Sequence, residues 1–158
     1  MRQPLSLKGR ALGLLSRREH SRKELTLKLL AHAESEQQLE AVLDEMEKLN
    51  FLSNDRFIDS VVHRKGQRFG VMRLRQELSG HGLDTDKVKQ ALEGAKNTEY
   101  DRALEVWKRK FTNPPADLAE KAKQMRFLIS RGFSGDIVRK IVSSSRLLDD
   151  DAADSYSE

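Results

Sequence analysis

Apolar side chains recur along this chain at intervals of three and four residues, which is the spacing of one face of an α-helix. The run at 39–49 and the stripe at 100–111 show this rhythm most clearly. Segments that alternate apolar and polar residues, as strands do, are nearly absent. The pattern therefore predicts an all-α protein with nine helices, near 7–17, 21–32, 35–49, 54–65, 70–80, 84–94, 97–111, 116–131 and 134–145.

Signals for helix starts and ends separate these stripes. Ser21 precedes Glu24 by three residues, which is the spacing of a capping box, and Ser35 precedes Gln38 in the same way. Gly80, Gly82 and Gly132 stand where helices should end, and the adjacent prolines at 114–115 indicate a loop.

The same helix and turn signals repeat along the chain. A shift of 49 residues superimposes Leu25 on Leu74, and a shift of 50 superimposes Gly82 on Gly132. This register predicts three tandem three-helix, helix-turn-helix-like repeats at 7–52, 53–95 and 96–146, followed by an acidic tail at 147–158 that we expect to be disordered. Each repeat is too small to bury its own apolar face. Neighbours must therefore stack, in an elongated array whose curvature the sequence leaves open.

Composition narrows the functional classes. The 158 residues include no cysteine, which excludes disulfides, cysteine-ligated metals and thiol nucleophiles. Charged residues make up 34% and no apolar run is long enough to span a membrane, so we expect a cytoplasmic location.

Catalytic motifs are missing. The chain has no phosphate-binding glycine-lysine loop and no His-Glu-x-x-His sequence. His63 follows Asp59 at helical spacing, but no third metal ligand is near in sequence, and the aspartates at 149–151 fall in the acidic tail. We therefore expect neither an enzyme nor a cofactor or metal.

Charge is arranged in alternating blocks although the net value is only +4. Residues 1–31 carry +6, 32–60 carry −6, 61–83 carry +4 and 112–146 carry +4. Basic faces of this kind favour a polyanionic partner, met directly or on a nucleoprotein surface. The candidate partner-binding or DNA-binding residues form three clusters: Arg17, Arg18, Arg22 and Lys23; Arg64, Lys65, Arg68, Arg73 and Arg75; and Lys121, Lys123, Arg126 and Arg131.

A helix-turn-helix repressor is the obvious alternative for such repeats. However, the third helix of the first repeat, near 34–48, is strongly acidic, and a recognition helix of that charge would be repelled by phosphate. An acidic helix beside basic ones suits a protein partner of mixed charge better.

Four segments resemble, in order, the signatures of the RecX family, which regulates the RecA recombinase. They are LSRREHSRKELTLKL at 15–29, LNFLSNDRF at 49–57, GVMRLRQEL at 70–78 followed by Gly82-Leu83, and KAKQMRFLISRGF at 121–133. Together they lie within residues 8–143. One departure is Asn54, where the family more often has Asp, although Asn caps a helix equally well.

The resemblance implies a fold of three tandem three-helix repeats and a non-enzymatic regulator. Such a protein would bind the RecA–single-stranded DNA filament in its groove and inhibit ATP hydrolysis, strand exchange and coprotease activity, thereby regulating DNA repair and the SOS response. It would also bind DNA weakly, and we expect a monomer. Among the motif positions, the resemblance favours Arg17, Arg18, Arg22, Lys23, Arg73, Arg75, Arg126 and Arg131 as contacts. The alternative is a sequence-tolerant nucleic-acid-binding protein that acts independently of RecA.

Overall fold

A computed structural model describes the backbone of residues 1–154 and the side chains of residues 1–145. Over that part of the chain the protein is entirely helical, which confirms the all-α prediction. The nine α-helices are α1 (Leu7–Arg17), α2 (Arg22–Leu29), α3 (Glu36–Lys48), α4 (Asn54–Gly66), α5 (Val71–Leu78), α6 (Thr85–Asn97), α7 (Glu99–Lys110), α8 (Leu118–Ser130) and α9 (Gly135–Asp154), with a 3₁₀ turn at Leu30–His32.

The last helix extends further than the sequence predicts. Helix α9 runs to Asp154, whereas the apolar periodicity ends near residue 145. The predicted disordered tail at 147–158 falls outside the side chains that the structure describes.

Short polar side chains start the helices where the sequence predicts them. The Ser21 hydroxyl oxygen accepts a hydrogen bond from the Glu24 backbone N–H at 3.0 Å, and the Ser35 hydroxyl accepts one from the Gln38 N–H at 3.1 Å. Each cap satisfies one of the N–H groups that a helix start leaves without an intrahelical partner. The return bond of a capping box from Glu24 is replaced by an ion pair, described below.

The described residues cluster into two compact units. The first comprises Met1–Ser60 and Leu78–Val88, and the second comprises Val61–Glu77 and the chain from Lys89 onward. The core of the first is built on α1, α2 and α3, with buried side chains Leu7, Ala11, Leu25, Leu29, Leu39, Leu43, Met46 and Leu52. The corresponding core on α7, α8 and α9 contains Ala103, Val106, Trp107, Leu128, Phe133, Val138, Ile141 and Val142.

The repeat register is visible in burial and in backbone conformation. Leu25 and Leu74, which the 49-residue shift aligns, are both fully buried. Gly82 and Gly132, which the 50-residue shift aligns, both adopt positive φ angles, 63° and 86°. Glycine enters this left-handed region without the steric cost that a Cβ imposes. Gly132 lies two residues after the end of α8, whereas the residue two positions after the end of α5 is Gly80, with a φ of 80°, and Gly82 lies two residues further along the same turn.

Two glycines bring distant segments of the second unit into backbone contact. The Gly70 N–H donates to the Arg131 carbonyl at 2.9 Å, and the Met72 N–H donates to the Gly132 carbonyl at 3.2 Å. A Cβ on Gly70 would lie 2.3 Å from the Gly132 carbonyl oxygen, and one on Gly132 would lie 2.5 Å from the Arg73 Cβ. We call this contact between the start of α5 and the end of α8 the glycine seam.

Helix α7 secures the seam with a buried carboxylate. Glu99 is only 4% exposed, and its Oε1 accepts hydrogen bonds from the Val71 N–H at 3.2 Å and the Ser134 N–H at 3.3 Å. These two amides belong to the starts of α5 and α9, where helix dipoles favour negative charge. One carboxylate therefore caps two helices.

Arg102 lies about one turn after Glu99 on α7, and it donates hydrogen bonds to backbone carbonyls where Glu99 accepts them from backbone amides. Its guanidinium donates to the carbonyls of Gly66, Phe69 and Ala95, each at 2.7 Å. Gly66 and Ala95 lie at the ends of α4 and α6, where carbonyls lack intrahelical donors. Burial lowers the pKa of the Arg102 guanidinium, and the negative charge of Glu99 raises it by a smaller amount.

The glycine seam generates a stability prediction. Replacing Gly70 by alanine should lower the free energy of unfolding by roughly 1–3 kcal/mol, because the new methyl group overlaps rigid backbone. Urea unfolding followed by circular dichroism measures this change.

Gly94 is the matched control, because it lies within helix α6 and a Cβ there meets no atom within 4 Å. Gly94→Ala should stabilise the protein by about 0.5–1 kcal/mol. A Gly70→Ala variant as stable as the parent would show that the two backbones do not approach this closely in solution.

Candidate functional site: a basic and aromatic surface in the second unit

The second and third predicted basic clusters meet on the ring of Phe69. The Arg73 guanidinium carbon lies 4.9 Å from the ring centroid, and that of Arg131 lies 5.7 Å from it. Arg131 also lies 5.2 Å from the Phe127 centroid, and the Lys110 Nζ lies 5.7 Å from that same ring. We call this set of three cations and two rings the cation–aromatic ladder.

Local structure explains why the ladder forms. Phe69 directly precedes Gly70, and Arg131 directly precedes Gly132, so the glycine seam places both side chains at one edge. Each cation–π contact at a partly exposed site contributes on the order of 0.5–1 kcal/mol. The contacts hold the guanidinium groups over apolar rings, and they leave those groups able to bind a further anion.

A single carboxylate partly neutralises the ladder. Glu77 accepts from Lys65 Nζ at 2.5 Å and from Arg73 Nε at 3.4 Å. The hydrogen bond from Lys65, with a smaller contribution from Arg73, outweighs burial and lowers the pKa of Glu77. Two cations share one anion, so the surface stays positive.

Exposed apolar side chains flank the seam. Met72, whose N–H bonds the Gly132 carbonyl, is 61% exposed, and Ile129, whose carbonyl accepts from the Gly132 N–H, is 51% exposed. Large apolar side chains beside arginines are typical of protein-binding surfaces.

The remaining residues of these two clusters do not join the ladder. Arg64, Arg68, Arg75, Lys123 and Arg126 are exposed. Arg75 and Arg126 make no ion pair with any described residue. Lys121 is half-buried and lines a cavity of about 320 Å³ with Pro115, Leu118 and Val142. All six stay candidates for contacts, together with Lys65.

The first cluster, in the first unit, is largely engaged within the fold. Arg22 binds Glu40 at 2.7 Å, Asp44 at 2.9 Å and Glu47 at 3.0 Å, all on α3. Burial opposes its charge, but the three carboxylates prevail and raise the pKa of Arg22. The acidic face of α3, whose charge in the sequence favours a protein partner of mixed charge, is therefore partly neutralised by an arginine of the same unit.

Arg18 is also paired internally, with both carboxylate oxygens of Glu24; the bond from Nη1 to Oε2 measures 3.1 Å. Lys28 adds a contact to Glu24 Oε1 at 3.6 Å. The remaining two members, Arg17 and Lys23, are exposed and have no ion pair within the described part of the chain. Of this cluster, they alone present unpaired charge.

Three important residues escape the sequence analysis. Lys110, Glu99 and Arg102 lie on α7, and each contacts at least one partner that is 17 or more residues away in the chain. Phe69 is ambiguous from sequence, because its neighbours Arg68 and Gly70 suit either a turn or a binding site. The one signal in the sequence is that Arg68-Phe69-Gly70 and Arg131-Gly132-Phe133 are triplets of similar composition in different predicted repeats.

The side chains of residues 1–145 assemble no metal site, and the aspartates at 149–151 lie outside the described side chains. Among the described residues, no group of three or more His, Asp or Glu side chains is placed to hold a metal ion. No helix in that part of the chain is long and apolar enough to cross a membrane.

Tandem three-helix repeats with a cationic surface supported by aromatic rings place the chain in the class of all-α helical-repeat proteins. Models of the first and third three-helix domains of RecX match residues 8–46 and 97–142. The chain belongs to the RecX family.

Relatives and a solved structure agree with this assignment. The chain is 53% identical to the regulatory protein RecX of Ralstonia nicotianae over 95% of this chain and 94% of the relative. It is 52% identical to that of Leptothrix cholodnii, covering 89% and 90%. The crystal structure of RecX from Lactobacillus salivarius matches with a TM-score of 0.73 at 20% identity, over 89% of this chain and 95% of that one, and shows the same fold.

The Arg18–Glu24 pair generates a prediction on pH. Burial alone would raise the pKa of Glu24, but hydrogen bonds from Arg18 and the charges of Arg18, His20 and Lys28 lower it from 4.5 to about 2. A lowered pKa in the fold contributes stability above pH 4.5, and that stability is lost as pH falls toward 2. The loss is on the order of 3 kcal/mol when complete.

We expect Glu24→Gln to remove the part of the pH dependence of the free energy of unfolding that comes from Glu24. Urea unfolding at several pH values between 6 and 2 measures this dependence. Glu93→Gln removes an exposed glutamate and serves as the control. Equal acid sensitivity in the parent and in Glu24→Gln would contradict the pairing.

Proposed function

We propose that this chain is a non-enzymatic modulator that binds the RecA nucleoprotein filament in its groove. Its binding inhibits the ATPase, strand-exchange and coprotease activities of RecA, and so regulates DNA repair and the SOS response in the cytoplasm. Family membership supports a regulator, since the relatives carry the name regulatory protein RecX. The chain acts as a monomer and uses no cofactor.

The observation that carries this proposal is the cation–aromatic ladder. A filament groove offers protein surface close to nucleic-acid phosphate, and guanidinium groups bind both carboxylate and phosphate. Met72 and Ile129 beside the ladder add apolar area that a protein partner can bury and that phosphate alone would leave exposed to water.

The ladder also argues against a function in which the protein simply coats single-stranded DNA. Such proteins stack bases on open aromatic faces. The guanidinium groups of Arg73 and Arg131 already lie against the Phe69 ring. The Phe127 ring is contacted by Arg131 and Lys110. Phe111 also packs edge-on against Phe127, with the ring centroids 5.4 Å apart. The rings support cations and are not presented to bases.

The first experiment is DNA-dependent ATP hydrolysis by a cognate RecA on single-stranded DNA, with this protein added below one copy per RecA. Inhibition at such ratios supports a filament regulator. Inhibition only when the protein coats the DNA supports the alternative of a RecA-independent nucleic-acid binder. A direct binder must also show a steep negative slope of log affinity against log salt concentration.

Residue-level support comes from Arg75, which is exposed and unpaired within the described chain and lies on the same helix as Arg73. Arg75→Glu should raise the concentration for half-inhibition about tenfold, equivalent to ~1.4 kcal/mol. Arg73→Gln should weaken inhibition in the same direction without placing a second carboxylate beside Glu77.

Lys89→Glu is the matched control, because Lys89 is an exposed helical cation of the same unit outside the ladder. Helicity should stay unchanged in all three variants. If Arg75→Glu and Arg73→Gln both inhibit as the parent does, α5 is not part of the contact.

A further inference from the structure

The first unit contains a cavity whose lining includes one of the predicted contact residues, Arg17. It measures about 400 Å³ and lies over α1, closed on one side by the end of α2 and the 3₁₀ turn. Its apolar lining includes Leu5, Leu14 and Leu29. Leu29 belongs to the buried core, whereas Leu5 at the rim is 66% exposed.

Four basic side chains and no acidic one line this cavity. Arg10 and Arg17 are two turns apart on α1, so they share one face of that helix, and Lys28 and His32 lie on the opposite side. Arg10, Arg17 and His32 make no ion pair with any described residue, and Lys28 shares Glu24 at 3.6 Å with Arg18. A concave site lined by one sign of charge attracts counter-charged ligands strongly.

Glycine leaves the floor of the cavity open. Gly13 lies on α1 between the two arginines, and a Cβ built there meets no atom within 4 Å. An incoming side chain can therefore reach the helix backbone at this point. The volume is within the usual range for binding pockets.

The basic side chains and the apolar lining of the cavity together indicate the class of ligand that fits it. Phosphate would use the cations and leave the leucines in contact with water, and no phenylalanine, tyrosine or tryptophan lines the cavity for a base to stack on. A purely apolar segment would leave two unpaired arginines, Arg10 and Arg17, beside it. A segment that carries both carboxylates and a leucine-like side chain matches both walls.

We propose that this cavity is a docking site for an acidic, amphipathic segment of a partner protein. The segment inserts an apolar side chain over Gly13, and its carboxylates bind Arg10, Arg17 and His32 around the rim. The site is separate from the cation–aromatic ladder and does not depend on what the ladder binds.

The test is fluorescence anisotropy with a labelled synthetic peptide that spaces glutamates and leucines at helical intervals. The parent protein should bind it saturably. A peptide of equal charge with serines for the leucines should bind about tenfold more weakly, because the apolar contact is lost. An oligothymidylate of similar charge should compete poorly with the leucine-containing peptide.

Two variants locate the site. Gly13→Leu fills the cavity from an open helical position that should fold at least as well as glycine, and it should weaken peptide binding about tenfold or more. Arg17→Glu should weaken it to a similar extent through charge. Lys48→Glu is the matched control, because Lys48, like Arg17, is an exposed cation in the last turn of a helix of the first unit.

Equal binding by the parent and Gly13→Leu, with both folded by circular dichroism, would overturn the proposal. So would equal affinity for the two peptides, or full competition by oligothymidylate, because either result would reduce the site to a general polyanion contact. Inhibition of RecA is measured separately, so failure here leaves the proposed function standing, and failure there leaves this proposal standing.

Discussion

One buried carboxylate organises the second unit. Glu99 Oε1 accepts the first amides of two helices, and a buried amide that lost this partner would cost about 1–3 kcal/mol. By fixing where α5 and α9 start, Glu99 sets the approach of Gly70 to Gly132. That approach in turn places Phe69 and Arg131 together. The cation–aromatic ladder, which is the proposed binding surface, therefore depends on a residue that is itself buried.

Charge serves two different purposes in this protein. Arg22, Arg18 and Arg102 use their guanidinium groups inside the fold, on the α3 carboxylates, on Glu24 and on helix-end carbonyls. The ladder and the cavity over α1 keep cations unpaired or underpaired. Unpaired clusters of like charge reduce stability through mutual repulsion, and the two proposals assign them anions supplied from outside the chain.

Local features were predictable from sequence and contacts across the chain were not. Helix positions, the Ser21 and Ser35 caps and the Gly82–Gly132 register follow from periodicity and turn chemistry within a few residues. The pairing of Arg22 with α3 looks like surface charge in sequence, since nothing in the sequence near Arg22 records that Glu40, Asp44 and Glu47 will face it. The ladder joins clusters about 60 residues apart, and only the closeness of the two glycine backbones brings them together.

The two cationic surfaces also differ in the partner they suit, and the difference bears on how a small protein could control a large assembly. The ladder presents arginines braced on rings and suits either carboxylate or phosphate, whereas the α1 cavity requires an apolar group together with its charge. A partner that satisfies both must offer acidic side chains, an apolar anchor and accessible anions in one place. Two modest contacts on one chain then reinforce each other through effective concentration, and a ligand that offers charge alone engages only one of them. If both proposals hold, discrimination against bare nucleic acid arises from the cavity more than from the arginines, although the arginines are the more conspicuous feature of the sequence.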